Sequence, residues 1–566
     1  MQRAFTPVWQ NEYQLSLFLS LVIGALVGLT VVAFILLTGR LAARMYPPGG
    51  AGWRRIFVPT IGSLVTGYLL WRYFPFARGS GVPQTKVALF IDDGRIKFRT
   101  VLGKFSCCCA SLASGIALGR EGPSVQVGAG IASIIGRSLG LSRQNVSSLV
   151  PVGAAAALAA AFNTPIAAVL FSLEEIMGDL HATVLGTVVL SSATSWMVLH
   201  LILGDNPLFQ VPAYRLVHPI EFAIYAVLGV LGGLASVCFV KLLLGLRAWF
   251  MLRPRWTVWF QPVFGGLLVG VMGYFVPEVL GVGYNYVGKA LNGDIALHLM
   301  IIFGVLKLVA SASCYASGNA GGIFGPALFI GAMIGGAVGG VAHTLLPAYT
   351  AGPGAYALVG MGAAFAGIVR TPLTSVIMIF EVTRDYSIIV PLMISNLISF
   401  FISYRLQRQP IYDALQLQDG IHLPTMEARL DGVQVRQAMR AAPLVLSPDE
   451  GVREALERVK TSDLDAWPVA NDLGLRGMIR KSDLEKATAD AVDGRKVGDL
   501  LSIKGRRQPD PEAVPHLHPD HNLSLALERM GGSSLNVLPV VSRANARELI
   551  GIVVLGDVLT AYGVIS

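Results

Sequence analysis

The sequence predicts an all-α polytopic membrane domain with broken helices, followed by a soluble α/β tandem. Three observations predict it. Charge is scarce and unevenly placed: residues 1–415 hold 26 Lys/Arg and 14 Asp/Glu, whereas residues 416–566 hold 18 and 21. A soluble chain carries about 25% charged residues, a level that only the tail reaches. Apolar stretches in the first part alternate between unbroken spans and spans interrupted by Gly, Pro and charge. Both parts also carry an internal repeat. A disordered chain or an ordinary cytosolic protein is excluded.

The elements follow in order. The apolar run from Leu15 to Leu37 is too long for a signal-peptide core and reads as a first retained span. Further clean spans lie near 56–72, 183–203, 218–244, 258–276, 296–312 and 387–406. Between them fall the broken stretches 79–90, 101–137, 144–176, 318–345 and 354–382. A helix facing lipid cannot break, because the freed backbone groups find no partner in hydrocarbon. Broken stretches therefore belong inside the protein, where transporters build their binding sites.

The repeats agree with this division. Gly153–Glu175 aligns without gaps on Gly360–Val382, with Thr164/Thr371, Pro165/Pro372 and Glu174/Glu381 among eight identities. Upstream, the run from Gly122-Pro123 to Gly128 aligns on the run from Gly325-Pro326 to Gly331. The membrane part is thus two related halves sharing one centre. In the tail, Leu446-Ser447-Pro448-Asp449 returns as Leu517-His518-Pro519-Asp520, and Trp467-Pro468-Val469 as Leu538-Pro539-Val540. Each tail unit reads as helix, strand, strand, helix. The expected domains are a transport domain over 1–415, a linker over 416–433, and modules over 434–490 and 496–566.

Lys and Arg flank the apolar runs, as membrane proteins require, and no basic cluster suits nucleic acid. The five cysteines, Cys107, Cys108, Cys109, Cys238 and Cys314, read as small buried packing residues. No metal-ligand spacing is visible, and the nine histidines read as dispersed, several of them in the tail. No nucleophile–base pair points to an enzyme.

Four separated motifs carry chemistry: Gly79-Ser80-Gly81-Val82-Pro83, Gly119-Arg120-Glu121-Gly122-Pro123, Gly322-Ile323-Phe324-Gly325-Pro326 and Pro410-Ile411-Tyr412. The first three look like helix starts, with Pro favouring the first turn. An anion crossing a membrane needs weak donors, because a full positive charge would hold it too tightly. Ser80 and Tyr412 offer hydroxyls, and the amides of Ile323 and Phe324 point along a helix axis. Plainer readings exist: Ser80 as a helix cap, Tyr412 as an interfacial anchor. Glu121 is expensive in an apolar stretch and calls for a function.

In order and with the repeat, these motifs resemble the CLC family of chloride channels and proton/chloride antiporters, over about 400 residues. The tail looks like a pair of CBS modules. The resemblance implies two inverted-topology repeats and a homodimer with one pathway per subunit. It places chloride on Ser80, Tyr412 and the amides of Ile323 and Phe324, with Gly79, Gly81, Pro83, Gly119, Gly122, Pro123, Gly322 and Pro326 shaping the pathway. It makes Glu121 the gating glutamate and proton carrier. Arg120 is expected as an electropositive surround or structural partner, and Lys104 matches a family lysine upstream of the gate.

Glu174 has a counterpart, Glu381, so the pair is expected to share a structural role. Glu175 faces Val382 and matches the internal proton glutamate of the antiporters; its plain reading is a solvated charge at a membrane end. The implied activity is exchange of chloride for protons, with a passive gated chloride channel as the alternative. Ser80 in the first motif resembles chloride-selective members. The implied setting is multi-pass in the plasma or inner membrane, with the tail cytoplasmic. No cofactor is called for in the membrane part. CBS modules commonly bind adenosine nucleotides, and Asp483 and Asp557 stand at the ribose positions. Arg480 and Val554 replace the usual Ser/Thr three residues earlier, and the plainer reading of these Asp residues is as helix caps.

Overall fold

The computed structural model describes residues 12–178, 184–205, 207–212, 214–384, 386–423, 433–489, 494–501, 514–533 and 535–561. Of the expected linker, residues 424–432 lie outside the described residues, as do 490 in the first module and 502–513, 534 and 562–566 in the second. The chain divides into two units, residues 1–415 and 416–566.

The first unit is helical. Its first half holds α1 (Glu12–Met45), α2 (Arg54–Arg72), α3 (Val82–Phe90), α4 (Phe98–Ala113), α5 (Glu121–Ser138), α6 (Arg143–Phe162), α7 (Pro165–Phe171) and α8 (Leu185–Leu203). A π-helical turn, Ser172–Met177, extends α7. The second half holds α9 (Glu221–Met251), α10 (Gln261–Phe275), α11 (Tyr284–Leu291), α12 (Leu297–Ala316), α13 (Phe324–Leu345), α14 (Pro353–Val369), α15 (Pro372–Thr383) and α16 (Ile389–Leu406). Helix α17 (Ile411–Gln418) leads out of the unit.

Among the described residues, seven helices are long and apolar enough to cross a membrane. The chain is a multi-pass membrane protein. Burial separates its helices by role. In α6 83% of the most apolar window is buried in protein, and in α13 72%, against 33% in α8 and 39% in α1. The interrupted stretches therefore sit inside, as the backbone argument requires.

The two halves repeat one another in packing. Helix α5 lies on α6 through Gly128 and Gly153, and α13 lies on α14 through Gly331 and Gly360. A Cβ at any of these four glycines would strike the facing helix. The shared Thr-Pro pair also has a structural cause. Asn163 and Arg370 end α6 and α14 in the left-handed region, with φ of 62° and 68°. Thr164 and Thr371 then turn the chain, and Pro165 and Pro372 start the next helix. Arg370 steadies its turn by donating to the carbonyls of Ser403 (2.9 Å) and Gln407. Cys238 departs from the expected burial: it is exposed on α9, whereas the other four cysteines are buried.

The second unit contains α18 (Val435–Ala438), α19 (Val452–Val459), β1 (Ala466–Asn471), β2 (Gly474–Arg480), α20 (Lys481–Ala489), α21 (Val497–Leu500), α22 (Leu523–Ser533), β3 (Val537–Val541), β4 (Leu549–Val554) and α23 (Leu555–Ala561). Each module is helix, strand, strand, helix, with its strands antiparallel. One apolar core containing Trp467, Val469, Leu538 and Val540 runs through both modules.

The segments that lead into the modules are exchanged. Before the first module, Val435 N donates to His521 O (2.7 Å) and Arg440 pairs with Ile552, both in the second. Before the second, Val497 N donates to Glu450 O (2.9 Å) and Gly498 N to Pro448 O (2.8 Å), both in the first. The tail histidines are not dispersed, contrary to the sequence reading: His422, His516, His518 and His521 form one cluster.

Candidate functional site

Three helix starts meet in the middle of the membrane unit. Gly119 and Gly322 exchange backbone hydrogen bonds, N to O, at 2.7 Å in each direction. This small bridge ties the approach to α5 to the approach to α13. Gly81, which begins α3, packs directly on the Gly122 backbone. The first amides of α3, α5 and α13 have no partner within their own helices. Their partial positive charges collect around one place, a natural seat for an anion.

Gly79 and Gly81 flank Ser80 with φ of +90° and +106°, a backbone path closed to ordinary side chains. Gln84 accepts from the Gly81 amide at 2.8 Å and stabilises the start of α3. Lys104, fully buried, donates to the Gly79 carbonyl at 2.8 Å and holds the same turn from behind. Ser80 is fully buried and, among the described residues, its Oγ has no hydrogen-bond partner. Tyr412, in the first turn of α17, is likewise fully buried with an unpartnered hydroxyl. A buried hydroxyl without a partner costs about 1–3 kcal/mol and needs an explanation. An anion accepting from both would supply one.

Phe324 opens α13 and is fully buried. Its ring stands 5.0 Å from Phe171, 5.0 Å from Phe365, 5.8 Å from Phe162 and 6.4 Å from Tyr412. This aromatic packing fixes both the start of α13 and the ring of Tyr412.

Glu121 is the first residue of α5 and is fully buried. Oε1 accepts a hydrogen bond from the Tyr284 hydroxyl, and Oε2 has no partner among the described residues. That oxygen lies beside Gly119 and Gly325; a Cβ on Gly119 would collide with it and stand 2.9 Å from the Gly325 amide nitrogen. The missing side chain at Gly119 is what makes room for the carboxylate. Arg120 does not pair with Glu121. Its guanidinium lies 5.6 Å from the centre of the Tyr284 ring and so supports the tyrosine that holds Glu121.

Glu174 and Glu381 are structural, as their pairing in the repeat implies. Glu174 accepts from Thr374 N at 2.9 Å and Thr374 Oγ1 at 2.7 Å, at the start of α15. Glu381 accepts from Ile166 N at 2.9 Å and Ala167 N at 2.6 Å, at the start of α7. Each carboxylate caps the helix that carries the other.

Glu175 has a different setting. It is buried in the π-helical turn, and the Lys86 ammonium sits 2.9 Å from its Oε1. Lys86 also reaches Asp413 Oδ1 at 2.8 Å. One lysine on α3, the helix that follows Ser80, thereby joins Glu175 to the Tyr412 helix. The three side chains carry net −1, which a single added proton neutralises. The sequence reading missed Lys86, which resembles an ordinary cation near a membrane end. It also missed Tyr284 and Lys307. Lys307 stands 17 residues before Phe324, as Lys104 stands before Glu121, and donates to the carbonyls of Gly281 and Val279 (3.0 Å). Gly281-Val282-Gly283 is the second-half counterpart of Gly79-Ser80-Gly81, a signal present in the sequence.

In the tail, Asp483 and Asp557 lie in the first turns of α20 and α23. Asp557 forms an ion pair with Arg440 at 3.2 Å, and Arg480 donates to Ser533 O at 2.8 Å.

Comparison with known proteins matches this geometry to a family. The chain is 32% identical over 354 residues to the H(+)/Cl(-) exchange transporter ClcA of Vibrio campbellii, covering 62% of this chain and 76% of that protein. The crystal structure of a slow cyanobacterial Cl-/H+ antiporter superposes with a TM-score of 0.66 at 26% identity, over 71% of this chain and 97% of that one. A eukaryotic CLC transporter shares the fold over 96% of this chain and 98% of its own, with a TM-score of 0.65 at 20% identity. The CBS domain family matches residues 435–490 and 511–563. The voltage gated chloride channel family matches residues 62–404, more than half of the chain, and it is to this family that the protein belongs.

Proposed function

We propose that this protein exchanges chloride for protons across its membrane. The observation that carries the reading is Glu121: a fully buried carboxylate at a helix start, with one oxygen unpartnered beside Gly119 and Gly325. Ionised, it fills the place an anion would take and draws on the same helix-start amides. Protonated, it is neutral, loses that attraction and yields to chloride. One group thus competes with the anion and carries the proton. Ser80 and Tyr412 serve as hydroxyl donors to chloride, with the amides of Ile323 and Phe324.

Glu175 receives the proton from the tail side. The Lys86–Glu175–Asp413 group supports this role, because it alternates between net −1 and neutral without exposing an isolated charge. The names of the Vibrio relative and the cyanobacterial structure, both exchangers, agree. The protein works as a homodimer with its tail cytoplasmic.

Flux in proteoliposomes tests the reading. Glu175→Gln should abolish proton movement and leave chloride flux. Glu121→Gln should remove both coupling and pH dependence. A proton gradient that fails to shift the reversal potential of the wild type would refute exchange in favour of a passive channel.

A further inference from the structure

Three tail histidines from two separate stretches converge. His422 lies just beyond α17, while His516 and His518 lie on the extended segment that enters the second module. Their ring centres form a nearly equilateral triangle of 5.3, 5.4 and 5.3 Å, and their candidate ligand nitrogens all lie within 4.8 Å of one another. The rings are inclined to one another by 60° to 76°, so they do not stack face to face. His516 and His518 are two residues apart on extended chain and share one face for that reason.

The outer hydrogen bonds set the tautomers. His516 Nδ1 is 2.8 Å from Val514 O, and His518 Nδ1 is 2.9 Å from Val541 O. A carbonyl only accepts, so each Nδ1 carries the proton and each Nε2 keeps its lone pair. This is how proteins orient imidazoles that bind metals. His422 is held by its backbone: its amide donates to Arg543 O at 3.1 Å, and Arg543 Nη1 donates to Leu423 O at 2.7 Å. His521 plays a different part, because its Nδ1 accepts from the His518 amide at 3.2 Å.

The plainer reading is a packed aromatic cluster. It accounts poorly for three polar rings at one point, two of them buried and locked in the same tautomer. The surrounding charge is mixed. Arg543 is neutralised by Asp520 through bonds of 2.8 and 3.0 Å, whereas Arg529 donates to the His516 carbonyl and keeps its charge nearby. Burial and these arginines hold the imidazoles neutral, the form that ligates.

We infer that His422, His516 and His518 form a three-imidazole site for a zinc-class transition-metal ion, fastening the connector after α17 to the second module. Neutral nitrogen donors without carboxylate suit zinc and its neighbours and exclude magnesium and calcium. Tetrahedral zinc with bonds of about 2.0–2.1 Å sets its ligand nitrogens about 3.3 Å apart, within reach of small ring rotations. Arg529 favours an anionic fourth ligand.

The test uses the full chain in detergent, free of any polyhistidine tag and stripped with chelator. Titration with Zn2+ should give one ion per chain, and Co2+ should give the intense visible bands of a tetrahedral site. His422→Ala and His516→Gln should each weaken binding about 100-fold, while His298→Gln, at an exposed position in the membrane unit, should leave it unchanged. His422 is only half-buried on a connector, so its variant is informative even if the His516 variant fails to fold. Absence of a saturable site, or full affinity in His422→Ala, would overturn the assignment.

Discussion

Lys86 holds its ammonium 2.9 Å from Oε1 of Glu175, 89 residues along the chain. The same nitrogen binds Asp413 on the helix of Tyr412, so the lysine links three elements around the anion site. Lys86→Met would leave Glu175 buried without its counter-charge. Breaking a buried pair costs about 3–5 kcal/mol, and the 42% exposure of the Asp413 side chain puts the expectation at the low end. Thermal unfolding in detergent should fall accordingly, and the proton-to-chloride ratio should change in liposomes. An unaltered ratio with unaltered stability would remove Lys86 from the coupling route.

Tyr284→Phe keeps the ring beneath Arg120 and deletes only the hydroxyl that binds Glu121. Hydrogen bonds to charged groups contribute about 1.5–3 kcal/mol. The carboxylate should then compete less well for the anion's place. Apparent chloride affinity, measured by calorimetry near neutral pH, should tighten by about tenfold. Weaker chloride binding would mean that Tyr284 serves the anion itself.

The crossed caps allow structural and functional glutamates to be told apart. Glu174→Ala and Glu381→Ala should each lower stability by about 1–2 kcal/mol, because each removes an anionic cap from a helix start. Coupling should persist in both. Glu175→Gln should do the reverse, leaving stability nearly intact and removing proton transport. Equal effects of all three on coupling would contradict the division.

Without metal, the tail should lose stability in acid. Burial foremost, then His516, Arg543 and Arg529, push the His422 imidazole down to about 4. His521 is pushed down to about 3, by burial first and then by the same arginines. Unfolded histidines protonate near 6.5. Between that value and about pH 4 the unfolded chain binds more protons than the folded one, so stability is full above 6.5 and declines as pH falls. Asp520 pairs with Arg543 and does not relieve the cluster. Pulse proteolysis of the tail in urea at about pH 7.5 and about pH 5 reads this directly, and His521→Gln should reduce the difference. A midpoint independent of pH would show that the rings are not held neutral.

The membrane architecture was legible because lipid imposes a strict rule on it. Interrupted apolar segments had to be buried, and the helix starts at Val82, Glu121 and Phe324 fall at the Gly/Pro motifs. A shared structural role for Glu174 and Glu381 followed from repeat alignment, whereas their crossed capping is visible only in the fold. Lys86, Tyr284 and the histidine cluster were not legible, since their meaning depends on partners 89 to 327 residues away. A one-dimensional pattern reports faces and caps, but it does not report which distant side chain completes a charge or a ligand set. Cys238 failed for a related reason: in a membrane protein an apolar neighbourhood in sequence serves a lipid-facing surface as well as a core.

The exchange of leading segments between the two tail modules has a genetic corollary. Each module borrows backbone pairing from the stretch that introduces its sibling, so neither is a self-sufficient domain. Deleting residues 514–561 would strand the segment around Val435 without its dock on His521, and excising the first module would do the same to Val497. The heritable unit is therefore the pair. Truncations falling between the repeats should behave as losses of the whole tail, and chimaeras should transplant cleanly only when both repeats travel together.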